Sequence, residues 1–278
     1  MTTAEPNDEL PTASIGAQTT KGPLPPPQGW GADELTKFFD SARINQYATF
    51  SRKRPIYAKL SAIDAIFCHV GKEMVDPKDP LSAMLMYRSH SAFRAACGVA
   101  LSTQNADAYP LIRSSLEYAG YARLIHGNES LGKVWLGRHQ DDTSRQRTRK
   151  EFTQANVRNC IEKDDAELAE NYDELYQHCI DFGAHPNERA ITSNLTISKN
   201  ESQTLFTQAY LGGDSIALNF LLKTLAQAGY TELLIFKPIF HEKFSRPEVI
   251  DELQKVRQGL SYPFRGLDAP SRLTHQIL

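Results

Sequence analysis

The stretch Asp107–His126, DAYPLIRSSLEYAGYARLIH, constrains the fold of this chain more than any other. Leu111, Ser115, Tyr118, Ala122 and Ile125 recur at helical spacing, and Ile112, Leu116 and Ala119 widen that face. Ser114, Ser115, Ala119 and Gly120 are small enough to let another helix come close. A helix that is apolar or small on so many sides belongs at the centre of a bundle. Asn105 or Asp107 is expected to cap its start, with Pro110 near the first turn and Gly127 at the stop. Arg113 and Glu117 stand four apart and share one face. Buried charges need partners, so the pair reads either as a structural ion pair or as groups that bind an anion or shape a pocket.

The flanking segments extend the helical pattern. Gly31–Gln46 reads as a helix with Leu35, Phe38 and Phe39 on its apolar side, and Pro55–Val75 as a second. DPKDP at Asp76–Pro80 is a break, and Leu81–Leu101 is a third helix carrying Arg88, His90 and Arg94. The short Ser102–Ala106 link then favours an antiparallel helix hairpin into the central stretch. Leu131, Val134 and Trp135 mark the next helix. Arg138–Arg158 is basic and Glu162–Glu174 acidic, which suggests a charged, solvent-facing hairpin. Between residues 190 and 211 the period changes to alternation, and a small β-hairpin with a KNES turn is expected. Asp214 should cap a long apolar helix, Ser215–Phe240, which Gly229 and Pro238 bend or end. Pro247–Leu260 closes the series. The fold class is therefore mainly α, a multi-helix bundle over residues 31–260 with one hairpin. Residues 1–30, Pro-rich and poor in large apolar groups, read as a disordered tail, and 261–278 as a loose one.

Composition narrows the function classes. A net charge of -2 over 278 residues does not resemble a strongly basic nucleic-acid binder. The basic segment around Arg145, Arg147, Arg149 and Lys150 has Phe152 as its one ring, a poor platform for base stacking. Four scattered cysteines without CxxC spacing fit a reducing, cytoplasmic setting, and no apolar run is long enough for a membrane span. His69 and Glu73, four apart, read as a surface pair. Glu174, His178, Asp181 and His185 are spaced by four, three and four. On one continuous helix they would share a face and offer metal ligands or proton-transfer groups, although Gly183 and Pro186 point to a helix end before His185. The candidate catalytic groups are His178, His185 and Glu117, and the candidate binding groups Arg113, Glu117 and Arg88. No cofactor is expected.

RSSLE at Arg113–Glu117, the pair Val134–Trp135 and AHPN at Ala184–Asn187 together resemble uncharacterised all-helical bacterial proteins related to the HEPN-like group. The resemblance covers the middle of the chain and implies a helical bundle that forms homodimers. Active HEPN ribonucleases carry an Arg followed by His after four to six residues, and this sequence has no such pair. Three function classes follow. The first is a non-catalytic binding or regulatory, defence-associated module with a protein or RNA partner. The second is an RNA-processing or toxin-type protein with a variant site, and the third a metal enzyme using the Glu174–His185 face.

Overall fold

The computed structural model describes residues 25–72, 74–186, 188–192, 194–200 and 202–260. The expectations for residues 1–24 and 261–278, and for Glu73, Asn187 and Glu201, lie outside them. The chain divides after Asp40 into two units. In the first, the Trp30 indole N–H donates to Asp40 at 3.0 Å and its ring lies 6.2 Å from that of Phe39. The first long helix is α1 (Glu34–Arg52), which ends six residues later than the apolar pattern suggested. Its supposed inner side is also not inner, because Leu35 is 61% and Phe39 45% exposed. Helical spacing shows which residues line up, not whether a neighbour covers them.

The second unit is the bundle. It holds α2 (Arg54–Lys72), α3 (Pro80–Leu101), α4 (Asn105–Ile125), α5 (Glu129–Leu136), α6 (Asp142–Glu151), α7 (Gln154–Glu162) and α8 (Ala166–Cys179). A single π-helical turn follows at Ile180–Ala184, then α9 (Glu188–Thr192), β1 (Leu195–Lys199) and β2 (Thr204–Gln208). The helices α10 (Ile216–Phe236), α11 (His241–Phe244) and α12 (Pro247–Arg257) complete it. None of these helices is long and apolar enough to cross a membrane.

As expected, α4 is central and packs on α3, α7, α8, α10 and the π turn. Ala108, Ile112, Leu116, Ala119 and Ala122 are fully buried on it. Its small residues set how close the neighbours come. A Cβ on Gly120 would collide with Val157 of α7 and lie 3.0 Å from the Tyr172 hydroxyl of α8. The start of α4 is held differently from expectation. Gln104 is the boundary residue and caps nothing, while Asn105 lies inside the helix and is buried. The turn before it is fixed by Thr103, which adopts φ 67°, uncommon for a β-branched residue. Thr103 is held from both sides, with its hydroxyl donating to the Gly212 carbonyl at 2.8 Å and Gly212 N–H donating back to its carbonyl at 3.0 Å.

Other ends follow local chemistry. Asp79 caps α3 by accepting from Ser82 N–H at 3.0 Å, with Pro80 in the first turn where its missing N–H costs nothing. Ser215 caps α10 through Leu218 N–H at 3.1 Å, displacing the expected Asp214, which instead pairs with Lys53 at 2.5 Å. Gly229 does not end α10; the helix runs through it and stops before Pro238. A Cβ there would lie 2.5 Å from Phe93 and 2.9 Å from Ile63, so Gly229 is a crossing point for α2 and α3. The basic segment pairs locally, once with an acid of its own and once with the first residue of the acidic segment. Arg145 meets Asp142 on α6, Arg158 meets Glu162 on α7, and α7 meets the core through buried Val157 and Ile161.

The hairpin falls within the expected span. β1 and β2 are antiparallel, with Leu195 opposite Gln208 and Ile197 opposite Phe206. Asn200 forms the turn, its side-chain oxygen accepting from the N–H groups of Ser202 and Gln203.

Candidate functional site

Arg113 and Glu117 do pair, with Nε 3.2 Å from Oε1, and both side chains are about three-quarters buried. The Tyr176 hydroxyl of α8 donates to the same Glu117 oxygen at 3.0 Å, and the Arg113 guanidinium lies 5.8 Å above the Tyr176 ring. Arg113 Nη1 also donates to the Ala184 carbonyl of the π turn at 3.4 Å. Burial, reinforced by the Glu117 charge, pushes the Tyr176 phenol up to about 12, so it stays a hydrogen-bond donor at neutral pH. The pair therefore ties α4 to α8 and to the turn after it.

That turn comes close to α4 for a readable reason. Pro110 has no N–H to offer the carbonyl of Ala106 four residues earlier. The Gly183 backbone packs at this opening, so tightly that a Cβ would overlap the Ala106 oxygen. The turn ends the helix before His185, as Gly183 and Pro186 suggested, and so disperses the four residues of the acid–histidine face. The His178 ring stacks on Phe182 at 5.6 Å and lies 5.4 Å from Phe220. Asp181 and His185 are exposed, and Glu174 is partly buried with Oε2 lacking a hydrogen-bond partner. No three of Glu174, His178, Asp181 and His185 bring ligand atoms within 4.8 Å of one another. Arg113 reaches the residue before His185, which places the guanidinium beside the turn but leaves the exposed imidazole outside its bonding network. Arg88 stands apart, its guanidinium 5.4 Å over the Tyr118 ring.

A second polar cluster, which sequence reasoning left unassembled, lies between α2 and α3. Asp64 Oδ1 is 2.6 Å from His90 Nε2 and accepts from Arg94 Nε at 2.5 Å. Arg94 Nη2 reaches Asp64 Oδ2 at 3.0 Å and Cys68 Sγ at 2.9 Å. The His90 ring is stacked on Phe67, centroids 4.8 Å apart and planes within 10°. Burial alone would raise the Asp64 carboxyl, but hydrogen bonds from Arg94 and His90 outweigh it and hold the group below the usual carboxylate range. Burial likewise lowers His90, helped by the nearby Arg94 charge, against the opposing pull of Asp64. The legible signal was a pair of i, i+4 couples, Asp64 with Cys68 and His90 with Arg94, on two successive helices. Of the His69–Glu73 couple, His69 lies with its Nε2 3.8 Å from Glu248 of α12, and Glu73 is outside the described residues.

A third feature is Glu232, in the middle of α10 and fully buried. Its oxygens lie 2.6 Å from Ser115 Oγ of α4 and 3.1 Å from Ser89 Oγ of α3. Burial pushes the carboxyl up to about 8 against the help of these two hydroxyls. Proton counting supports a neutral acid. Ser89 Oγ is also 3.0 Å from the Ser115 carbonyl, and Ser115 Oγ 2.8 Å from the Ile112 carbonyl. Each hydroxyl has one proton, so a hydroxyl that gives it to a carbonyl can bond Glu232 only by accepting, and the single proton of a neutral carboxyl serves one such contact. Its sequence signal is a charge flanked by apolar residues on every side of a long helix.

No family model matches this chain, and neither a curated protein nor a solved structure matches it. The geometry therefore carries the functional argument by itself.

Proposed function

We propose that this chain is a non-catalytic, regulatory or defence-associated binding module that self-associates through its β-hairpin. The observation that carries the reading is the state of β2. Every residue of TLFTQ is exposed, Phe206 at 63%, and none is charged. β2 pairs with β1 along one edge and with no other strand among the described residues. A free-standing two-stranded hairpin is marginal in water, and sheets commonly guard an open edge with Lys, Pro or a bulge. This edge carries none of these.

A second copy of the chain is the occupant that fits. An antiparallel pairing of β2 with its twin about a two-fold axis at Phe206 sets Thr204 against Gln208 and Leu205 against Thr207. No like charges then face each other, and both Phe206 rings are covered. The inward ties of Arg113 to Glu117, Tyr176 and Ala184 support a packing role for that pair over a phosphate-binding one. The four free thiols support a reducing, cytoplasmic setting.

Sedimentation of wild type and Phe206→Glu tests the reading. Wild type is expected to dimerise in the micromolar range. The variant loses about 1.5–3 kcal/mol of ring burial and sets two carboxylates at the axis, weakening association roughly 10- to 100-fold. At concentrations where wild type is monomeric, its melting should not change, because the ring is exposed in the single chain. A monomeric wild type, or a variant that dimerises equally well, would refute the proposal.

A further inference from the structure

Independently of the hairpin, we propose that Asp64, Cys68 and His90 form a binding site for one divalent transition-metal ion of the zinc class. One ligand atom from each residue lies within 4.8 Å of the other two, and this is the only such trio among the described residues. The ligands come from the interior of two packed helices, where rotamers and spacing are fixed. Asp64 and Cys68 are one turn apart on α2, and His90 faces them from α3. The Phe67 ring, flat against the imidazole, fixes its plane. Oxygen, thiolate and imidazole together are a donor set that Zn2+ accepts, and three protein ligands leave a fourth position for water.

Arg94 shows that the site is built around positive charge. Its guanidinium touches both oxygens of the carboxylate across the cluster and the Cys68 sulfur. The same side chain is 56% exposed, so it can swing into solvent when a metal takes over those contacts. On binding, Cys68 gives its proton to solvent. The carboxylate and thiolate then balance the dication, and the departed guanidinium is not needed for neutrality.

The test uses the full chain, stripped with chelator and titrated with Co2+. One equivalent is expected to bind with a thiolate-to-cobalt charge-transfer band that Zn2+ abolishes by displacement. Cys68→Ser should lose the band, and His90→Ala should weaken binding at least about tenfold. Alkylation of wild-type Cys68 needs no variant and covers the case in which one fails to fold. Zn2+ should slow it while leaving Cys160, which lies on α7, unaffected. A wild-type protein lacking either the saturable band or the protection of Cys68 overturns the proposal, as does a band that survives in folded Cys68→Ser.

Discussion

Replacing Glu232 with Gln is expected to flatten the pH dependence of stability and to raise stability in alkaline solution. The sign follows from the proton count. The folded carboxyl keeps its proton until about pH 8, whereas the unfolded one releases it near 4.5. Between these values the unfolded state binds fewer protons, so wild-type stability falls as pH rises. The contribution is fully present below 4.5 and is lost by the time the folded group ionises. At about 1.4 kcal/mol per unit, the loss across that window is on the order of 5 kcal/mol, a large share of the roughly 5–15 kcal/mol that holds a domain together. Gln has the same shape, keeps a donor and an acceptor for Ser89 and Ser115, and cannot ionise. Urea unfolding of both proteins at pH 5, 7 and 9 reads the difference directly, since all other titrating groups are common to the pair. Curves that stay parallel across pH would mean that Glu232 is charged in the fold or reached by water.

The second large effect is expected at Gly183. Its φ of 164° lies outside the left-handed region that favours glycine. Restricting the unfolded chain would by itself stabilise Gly183→Ala by about 0.4–1 kcal/mol. Contact decides against it. The added methyl overlaps the Ala106 carbonyl oxygen and lies 2.9 Å from its carbon, and both are backbone atoms near the start of α4. Relief requires the π turn to lift away from the central helix, which also pulls Ala184 from Arg113. Overpacking of this kind costs about 3 kcal/mol, more than the unfolded-state gain. A denaturation midpoint equal to wild type would show that the turn has room to move.

Much of the bundle is legible in the chain because period and stops are both local. Asp79 with Pro80 and the alternation before KNES both state their structure within a few residues. The central position of α4 follows from how few of its faces could meet water. What is not legible depends on partners distant in sequence. The exposure of Leu35 and Phe39 is decided by what covers them, and the cap of α10 by Lys53 claiming Asp214. The π turn depends on Pro110, more than 70 residues earlier, leaving a carbonyl free. The same limit governs the candidate sites. Arg113 and Glu117 are one turn apart and could be paired on sight. The Asp64–Cys68–His90 cluster needs the register between two helices, and the setting of Glu232 needs the packing of three. The histidines at 178 and 185 were aligned on a helix that the turn cuts short.

Amide hydrogen exchange over Thr204–Gln208, followed at low and high protein concentration, tests the self-association claim most directly. Among the described residues no strand bonds the outer edge of β2, whereas in the proposed pair the N–H groups on that edge donate across the two-fold axis. Exchange at Thr204, Phe206 and Gln208, whose N–H groups point away from β1, should slow as concentration rises and remain fast in Phe206→Glu. Exchange that is equally fast at every concentration would contradict the account.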